Sequence, residues 1–203
     1  MESEEEIAGA LLDVRKAYRL LYFFQKRVLS LVDQLSQKLG RRFYYWLPSG
    51  DNGAIMAATN PFDRSDWKML PLLDAELLFT PDGDSAARQK GQWMLDVLVR
   101  ADDGCPSEED VSEPSPADFR DAADCRSTIY LCAYIALKDM ERNWYYEVYS
   151  NINQPREDEL PEIHNDISVV GFSVDLSTLS NRESIENVSE RFLGMVKAAG
   201  GLV

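Results

Sequence analysis

Residues 73–100 read LDAELLFTPDGDSAARQKGQWMLDVLVR, two short apolar runs joined by a segment that opens with Thr80-Pro81-Asp82-Gly83-Asp84. Pro presets φ for a turn, Gly supplies the left-handed conformation and Asp bonds its own backbone, so the pentapeptide reads as a strong turn. The flanking runs, Leu73–Phe79 and Trp93–Arg100, then read as strands of a long-looped antiparallel pair. Segments of the same texture at Phe43–Leu47, Thr128–Leu137 and Ser168–Leu176 are predicted strands, with a helix or a strand across Asn143–Ile152. Most of these runs lack an intervening helix long enough for a parallel crossover, so the sheet is predicted to be largely antiparallel.

The two ends of the chain carry a different period. Ser3-Glu4-Glu5-Glu6 has the capping-box pattern, in which the hydroxyl and the carboxylate each take a free backbone N–H. Apolar side chains follow at Ile7, Leu11, Val14, Tyr18, Leu21, Val28, Val32, Leu35 and Leu39, in alternating steps of four and three broken by Gln25, until Gly40 supplies a stop. A helix over about residues 4–39 would be a rod of roughly 54 Å at 1.5 Å per residue. Its seam is flanked by Ala10, Ala17, Phe24 and Leu31 on one side and by Tyr22 and Leu29 on the other. Charged flanks are what a two-stranded coiled coil uses, so this broad apolar face suits burial against a sheet. The outer face mixes Leu12, Leu20 and Phe23 with Arg15, Lys16, Arg19, Lys26 and Arg27, and it is expected either to make a contact beyond its own domain, most economically a homodimer, or to be covered by the acidic-loop region or the last helix folding back over it.

At the other end, Ser180-Asn181-Arg182-Glu183 reads as a second capping box opening a helix with the stripe Ile185, Val188, Phe192, Met195 and Ala199, ended by Gly200-Gly201. The fold class is therefore α+β: a mostly antiparallel sheet of about five strands packed by a long N-terminal helix and a C-terminal helix, in one domain spanning 1–203.

Composition narrows the partners. The 203 residues carry a formal charge of −14, with 35 acidic against 21 basic side chains. Residues 1–42 hold 8 basic and 6 acidic groups, and residues 43–203 hold 13 and 29. Residues 101–125 alone hold nine acids against one Arg, with Pro106, Pro114 and Pro116, and read as a solvated loop. Such a body repels phosphate backbones, which disfavours nucleic acid as a ligand. No apolar run reaches the roughly 20 residues of a membrane helix, and the acidic start is unlike a secretory signal. Cys105, Cys125 and Cys132 are odd in number and form no C-x-x-C, so neither a disulfide framework nor a zinc site is expected. The reading is of a soluble cytoplasmic protein with no cofactor and no metal.

Candidate chemistry is sparse. His164 is the single histidine and lies in a polar stretch, Pro155–Asp166, as a surface residue. Gly50-Asp51-Asn52-Gly53 has no following Lys-Ser/Thr and reads as a turn, and the sequon at Asn187–Ser189 falls inside the second helix. A metal-dependent nuclease would need acids on adjacent strands, for which Asp74, Glu76 and Asp96 are the candidates, with Lys138 as a cation. A helix followed by strands bearing these acids is loosely similar to the restriction-endonuclease superfamily, but the acid-x-Lys step is missing, since Val99 and Arg100 follow Asp96-Val97-Leu98. The three acids are read as solvent-face carboxylates, with Asp96 a structural or solvent-face residue and not a metal ligand. Cys132 reads as core, and Cys105 and Cys125 bracket the acidic loop. The aromatic runs Phe43–Trp46 and Trp144–Tyr146 offer Tyr44, Trp46, Trp144 and Tyr146 as partner-binding residues beside Leu12, Leu20 and Phe23, because such side chains bury large area and keep a polar tip. The function expected is that of a non-catalytic protein-interaction protein, an adaptor, inhibitor or immunity-type partner. The alternatives are a metal-dependent nuclease and an acidic nucleic-acid mimic.

Overall fold

The computed structural model describes residues 3–51, 70, 72–84, 89–104, 115–141, 143–155 and 158–203, with the side chains of 48–51 outside that description. Cys105, the middle of the acidic loop and part of the turn at 50–53 lie outside the described residues. The chain divides into two compact units, Met1–Gln34 and Leu35–Val203.

Helix α1 spans Glu4–Lys38. Its predicted start is present: the Glu6 backbone N–H donates to Ser3 Oγ at 3.2 Å, and the Ser3 N–H donates to Glu6 Oε2 at 2.6 Å. The Ser3 backbone donor, then its hydroxyl, holds the Glu6 carboxyl below its usual range. Gly40, at φ +64°, ends the helix in a backbone conformation that side chains with a Cβ rarely adopt.

The second unit is built on a six-stranded sheet ordered β1-β2-β3-β4-β6-β5, antiparallel throughout. The strands are β1 Arg42–Asp51, β2 Asp74–Thr80, β3 Trp93–Arg100, β4 Thr128–Ala136, β5 Glu162–His164 and β6 Ile167–Asp175. The turn after β2 is the predicted one, with Gly83 at φ +79° and the Asp84 N–H donating to Asp82 Oδ1 at 3.2 Å. The sixth strand, β5, was missing from the sequence reading because three residues including Glu162 and His164 carry no strand texture. His164 therefore sits in a strand, half-buried, with Nε2 3.4 Å from Glu162 Oε2.

Alternation along the strands creates two unlike faces. One carries Trp93, Leu95 and Val97 beside Leu131 and Phe172, and the helix α2, Arg182–Ala198, covers it. Phe192 of α2 has its ring 5.9 Å from Trp93 and 6.1 Å from Phe172, both centroid to centroid. The cap of α2 is one residue later than predicted: Asn181 and Ser184 form the reciprocal pair, displacing Ser180 and Glu183. Lys38, at the end of α1, closes an ion pair of 2.8 Å with Glu186 of α2.

The opposite face carries Leu78, Met94, Cys132, Tyr134 and Val169, packed with Trp144 and Val148. Residues Trp144–Val148 form a π-helical turn and Tyr149–Asn151 a 3₁₀ turn, so the ambiguous segment is a short irregular helix. Asn143 Oδ1 accepts the N–H groups of Tyr145 and Tyr146 and starts it. Gly171 lies under Tyr130: an added Cβ would come 2.6 Å from the Leu131 carbonyl oxygen and 2.7 Å from the Tyr130 ring.

Candidate functional site

Burial along α1 changes partway. Val28, Leu31, Val32, Leu35 and Leu39 are buried, whereas Ile7, Leu11, Val14 and Tyr18 on the same four-three stripe are exposed. On the outer face Leu12, Leu20 and Phe23 are exposed as well, Leu20 at 69% and Phe23 at 66%, and the Phe23 ring meets Tyr22 edge-to-face at 5.5 Å. All three predicted contact residues of the helix are thus at its surface.

The predicted aromatic residues divide. Register slips between Phe43 and Tyr45 in β1, a bulge that breaks strict alternation. Tyr44 is half-buried against the core, and Tyr45 approaches Tyr145 at 4.8 Å between ring centroids. From there the rings continue through Tyr149, stacked on Tyr145 at 5.6 Å, to Tyr134 at 6.5 Å. Burial, then the Tyr45 hydroxyl, raises the Tyr145 pKa. Tyr146 stands exposed at the edge of this cluster, 5.1 Å from Tyr145. Trp46 is exposed but pairs with Leu77, on the side of the sheet that α2 covers. Trp144 corrects the expectation: it is 1% exposed and part of the core, because a helical turn and not a strand sets which residue faces inward.

Asp96 is the structural residue of the two alternatives and lies on no solvent face. It has no exposed surface, and its strand neighbours across the pairing are Leu78 and Cys132. Oδ2 accepts a hydrogen bond from Gln154 Nε2 at 3.4 Å, while Oδ1 has no partner among the described residues. Burial pushes its carboxyl well above 3.8, and the charge of Glu76 on the same face adds to the shift. The same burial raises the thiol of Cys132 and the phenol of Tyr134. A carboxyl whose protonated form is favoured in this way is a poorer ligand for a divalent cation. The signal was in the sequence: Asp96 interrupts the otherwise apolar run Trp93–Val99, and a continuous apolar run marks a strand buried on both faces. Asp74 is exposed beside Arg100, at 3.5 Å, and Lys138 is paired with Asp166 at 2.7 Å.

A third group lies where the acidic loop begins and ends. Asp102, Asp103 and Cys125 bring one ligand atom each within 4.8 Å of the others. The positions are already used: Asp103 Oδ1 accepts from Arg120 Nη2 at 2.8 Å and from the Arg126 backbone at 2.9 Å, and Asp102 Oδ1 accepts from the Gly104 N–H at 2.8 Å. The Arg126 backbone donor, then the two arginines, holds the Asp103 carboxyl below its usual range. Two guanidinium groups fill the role a cation would take, so EDTA or reductant is expected to leave the thermal midpoint unchanged. A fall of more than about 5 °C in EDTA, over 1 kcal/mol for a chain of this size, would reveal a structural metal instead.

Among the described residues no helix is long and apolar enough to cross a membrane. No solved structure matches the chain. It is similar to the uncharacterized protein PM0109 of Pasteurella multocida (strain Pm70), with 26% identity over 199 residues and 92% of each chain covered. The match to the PM0109 family extends over residues 4–201, through both helices and all six strands described above, and the chain belongs to that family.

Proposed function

We propose that this is a non-catalytic interaction protein, an adaptor, inhibitor or immunity-type partner, that docks another protein through the exposed apolar surface of α1. One observation carries the reading: Leu12, Leu20 and Phe23 remain exposed on one side of a helix whose other side exposes Leu11 and Tyr18. A helix apolar on both sides normally has both covered, and leaving a Leu or Phe in water forgoes roughly 1.5–3 kcal/mol relative to full burial. Clustered apolar surface on a soluble protein typically marks a binding site. Tyr146 and Trp46 extend the apolar surface of the second unit. A cytoplasmic location fits the free thiols Cys125 and Cys132. Metal-dependent cleavage draws no support from the same geometry, because Asp96 is enclosed and favours its protonated form.

Affinity capture from extract of the native cell tests the reading. Full-length wild-type protein is expected to retain a stoichiometric partner that is lost with the Leu12→Glu, Leu20→Glu, Phe23→Glu triple variant at unchanged melting temperature. Equal retention by both, or no partner on either, overturns it.

A further inference from the structure

The four-three spacing from Ile7 to Leu39 is a heptad repeat, and a strict seven-residue repeat matches a partner helix wound about it in a left-handed supercoil. In the structure Ile7, Leu11, Val14 and Tyr18 of that seam are exposed, Leu21 and Gln25 are half-buried, and full burial starts at Val28. We propose that the stretch before Val28, Glu4–Arg27, pairs antiparallel with the same stretch of a second copy of this chain. In the proposed register Ile7 of one copy lies beside Gln25 of the other, Leu11 beside Leu21, and Val14 beside Tyr18.

Length, packing and charge support this occupant and this direction. The register brings Glu4, the first helical residue, opposite Val28, where full burial within the chain begins, so the stretch before Val28 in one copy runs the length of the same stretch in the other. Each layer from Ile7 to Gln25 joins the two kinds of seam position, as antiparallel pairing requires, and the polar residue among them, Gln25, falls at the ends of the interface. The flanks of the seam are Ala8, Arg15 and Tyr22 on one side and Ala10, Ala17 and Phe24 on the other, and the register sets Ala8 against Tyr22 and Ala10 against Phe24, a short side chain beside each large one. Glu5 and Glu6 of one copy come to the same end of the pair as Lys26 and Arg27 of the other, whereas a parallel pair would gather Glu4, Glu5 and Glu6 of both copies at one end and both copies of Lys26 and Arg27 at the other. Arg15 opposes its own copy across the two-fold axis, an exposed like-charge contact that salt screens. The pairing shares with the reading above only the exposure of α1. Leu12, Leu20 and Phe23 lie off the seam and remain available to a different protein.

Sedimentation equilibrium of the full chain is expected to give twice the monomer mass of 23.1 kDa, and the Leu11→Glu, Tyr18→Glu variant the monomer mass with an unchanged melting temperature. Under mild oxidation Ala17→Cys is expected to form a disulfide with itself across the two-fold axis, mapped to residue 17 by peptide mass spectrometry, and Val14→Cys is not. A monomeric wild type overturns the dimer, and so does a dimer that survives the seam variant. Cross-linking at residue 14 in place of 17 establishes a parallel pair and overturns the proposed direction. A monomer that still captures a partner through Leu12, Leu20 and Phe23 removes the dimer alone, and a dimer that captures nothing removes the partner alone.

Discussion

Replacing Trp144 by Ala is expected to destabilise the fold by about 3–5 kcal/mol, as emptying a buried aromatic site does. The indole lies against the face of the sheet that carries Leu78, Met94, Cys132 and Tyr134, in a short π-helical turn. In a chain of this size each kcal/mol moves the thermal midpoint by roughly 2–4 °C, so a fall of about 10 °C is the central expectation. Tyr146, two residues later and 71% exposed, is the control, and Tyr146→Ala is expected within about 0.5 kcal/mol of wild type. Urea denaturation of the two variants measures the contrast. Equal midpoints would return Trp144 to the surface.

Asp96→Asn is expected to stabilise the protein at neutral pH, by about 1.4 kcal/mol for each pH unit between the unfolded and folded pKa, because the enclosed carboxyl must take up a proton or bury a charge and the amide does neither. Asn resembles the protonated acid in shape and cannot ionise. A carboxyl whose folded pKa is raised contributes stability that is fully present below its unfolded pKa and is lost as pH rises through the folded value. Asp96 is raised well above 3.8 by burial first and by Glu76 second, so wild type and variant should be closest in stability below about pH 4. Above that the variant should gain at up to about 1.4 kcal/mol per pH unit until the folded pKa is passed. Asp103, Asp175 and Glu186 have lowered pKa values and act with the opposite sign, but they are common to both proteins and cancel in the difference. Melting curves from pH 3 to 8 check the divergence. Parallel curves, or a variant less stable at pH 8 than at pH 4 relative to wild type, would show that Asp96 is ionised and compensated in the fold.

The parts of this fold that were legible in the sequence are those where one local rule acts alone. The box Ser3–Glu6 and the heptad stripe place α1 within a residue at its C-terminal end, and the turn at Thr80–Asp84 fixes the direction of β2 against β3. The surface was harder to read because it depends on which side of an element faces inward. For Trp144 that depended on a π-helical turn in a segment left open between helix and strand, and for Tyr44 on a one-residue bulge in β1. For Asp96 the solvent-face alternative fails because its apolar neighbours Leu95 and Val97 already described a strand with no solvent face. Leu12, Leu20 and Phe23 were legible because helical spacing alone places them away from the seam.

The change in burial along α1 also divides one covalent helix into two kinetic populations. Amide hydrogens near Tyr18 need only a local fraying event to meet solvent, and a helical stretch without lateral packing is marginal in water. Those of Leu35 and Ser36, both buried, should exchange only when the second unit opens. A single helix should therefore give fast and slow deuterium uptake on either side of Val28, and any ligand that settles on the first stretch should slow the fast class while leaving the other unchanged.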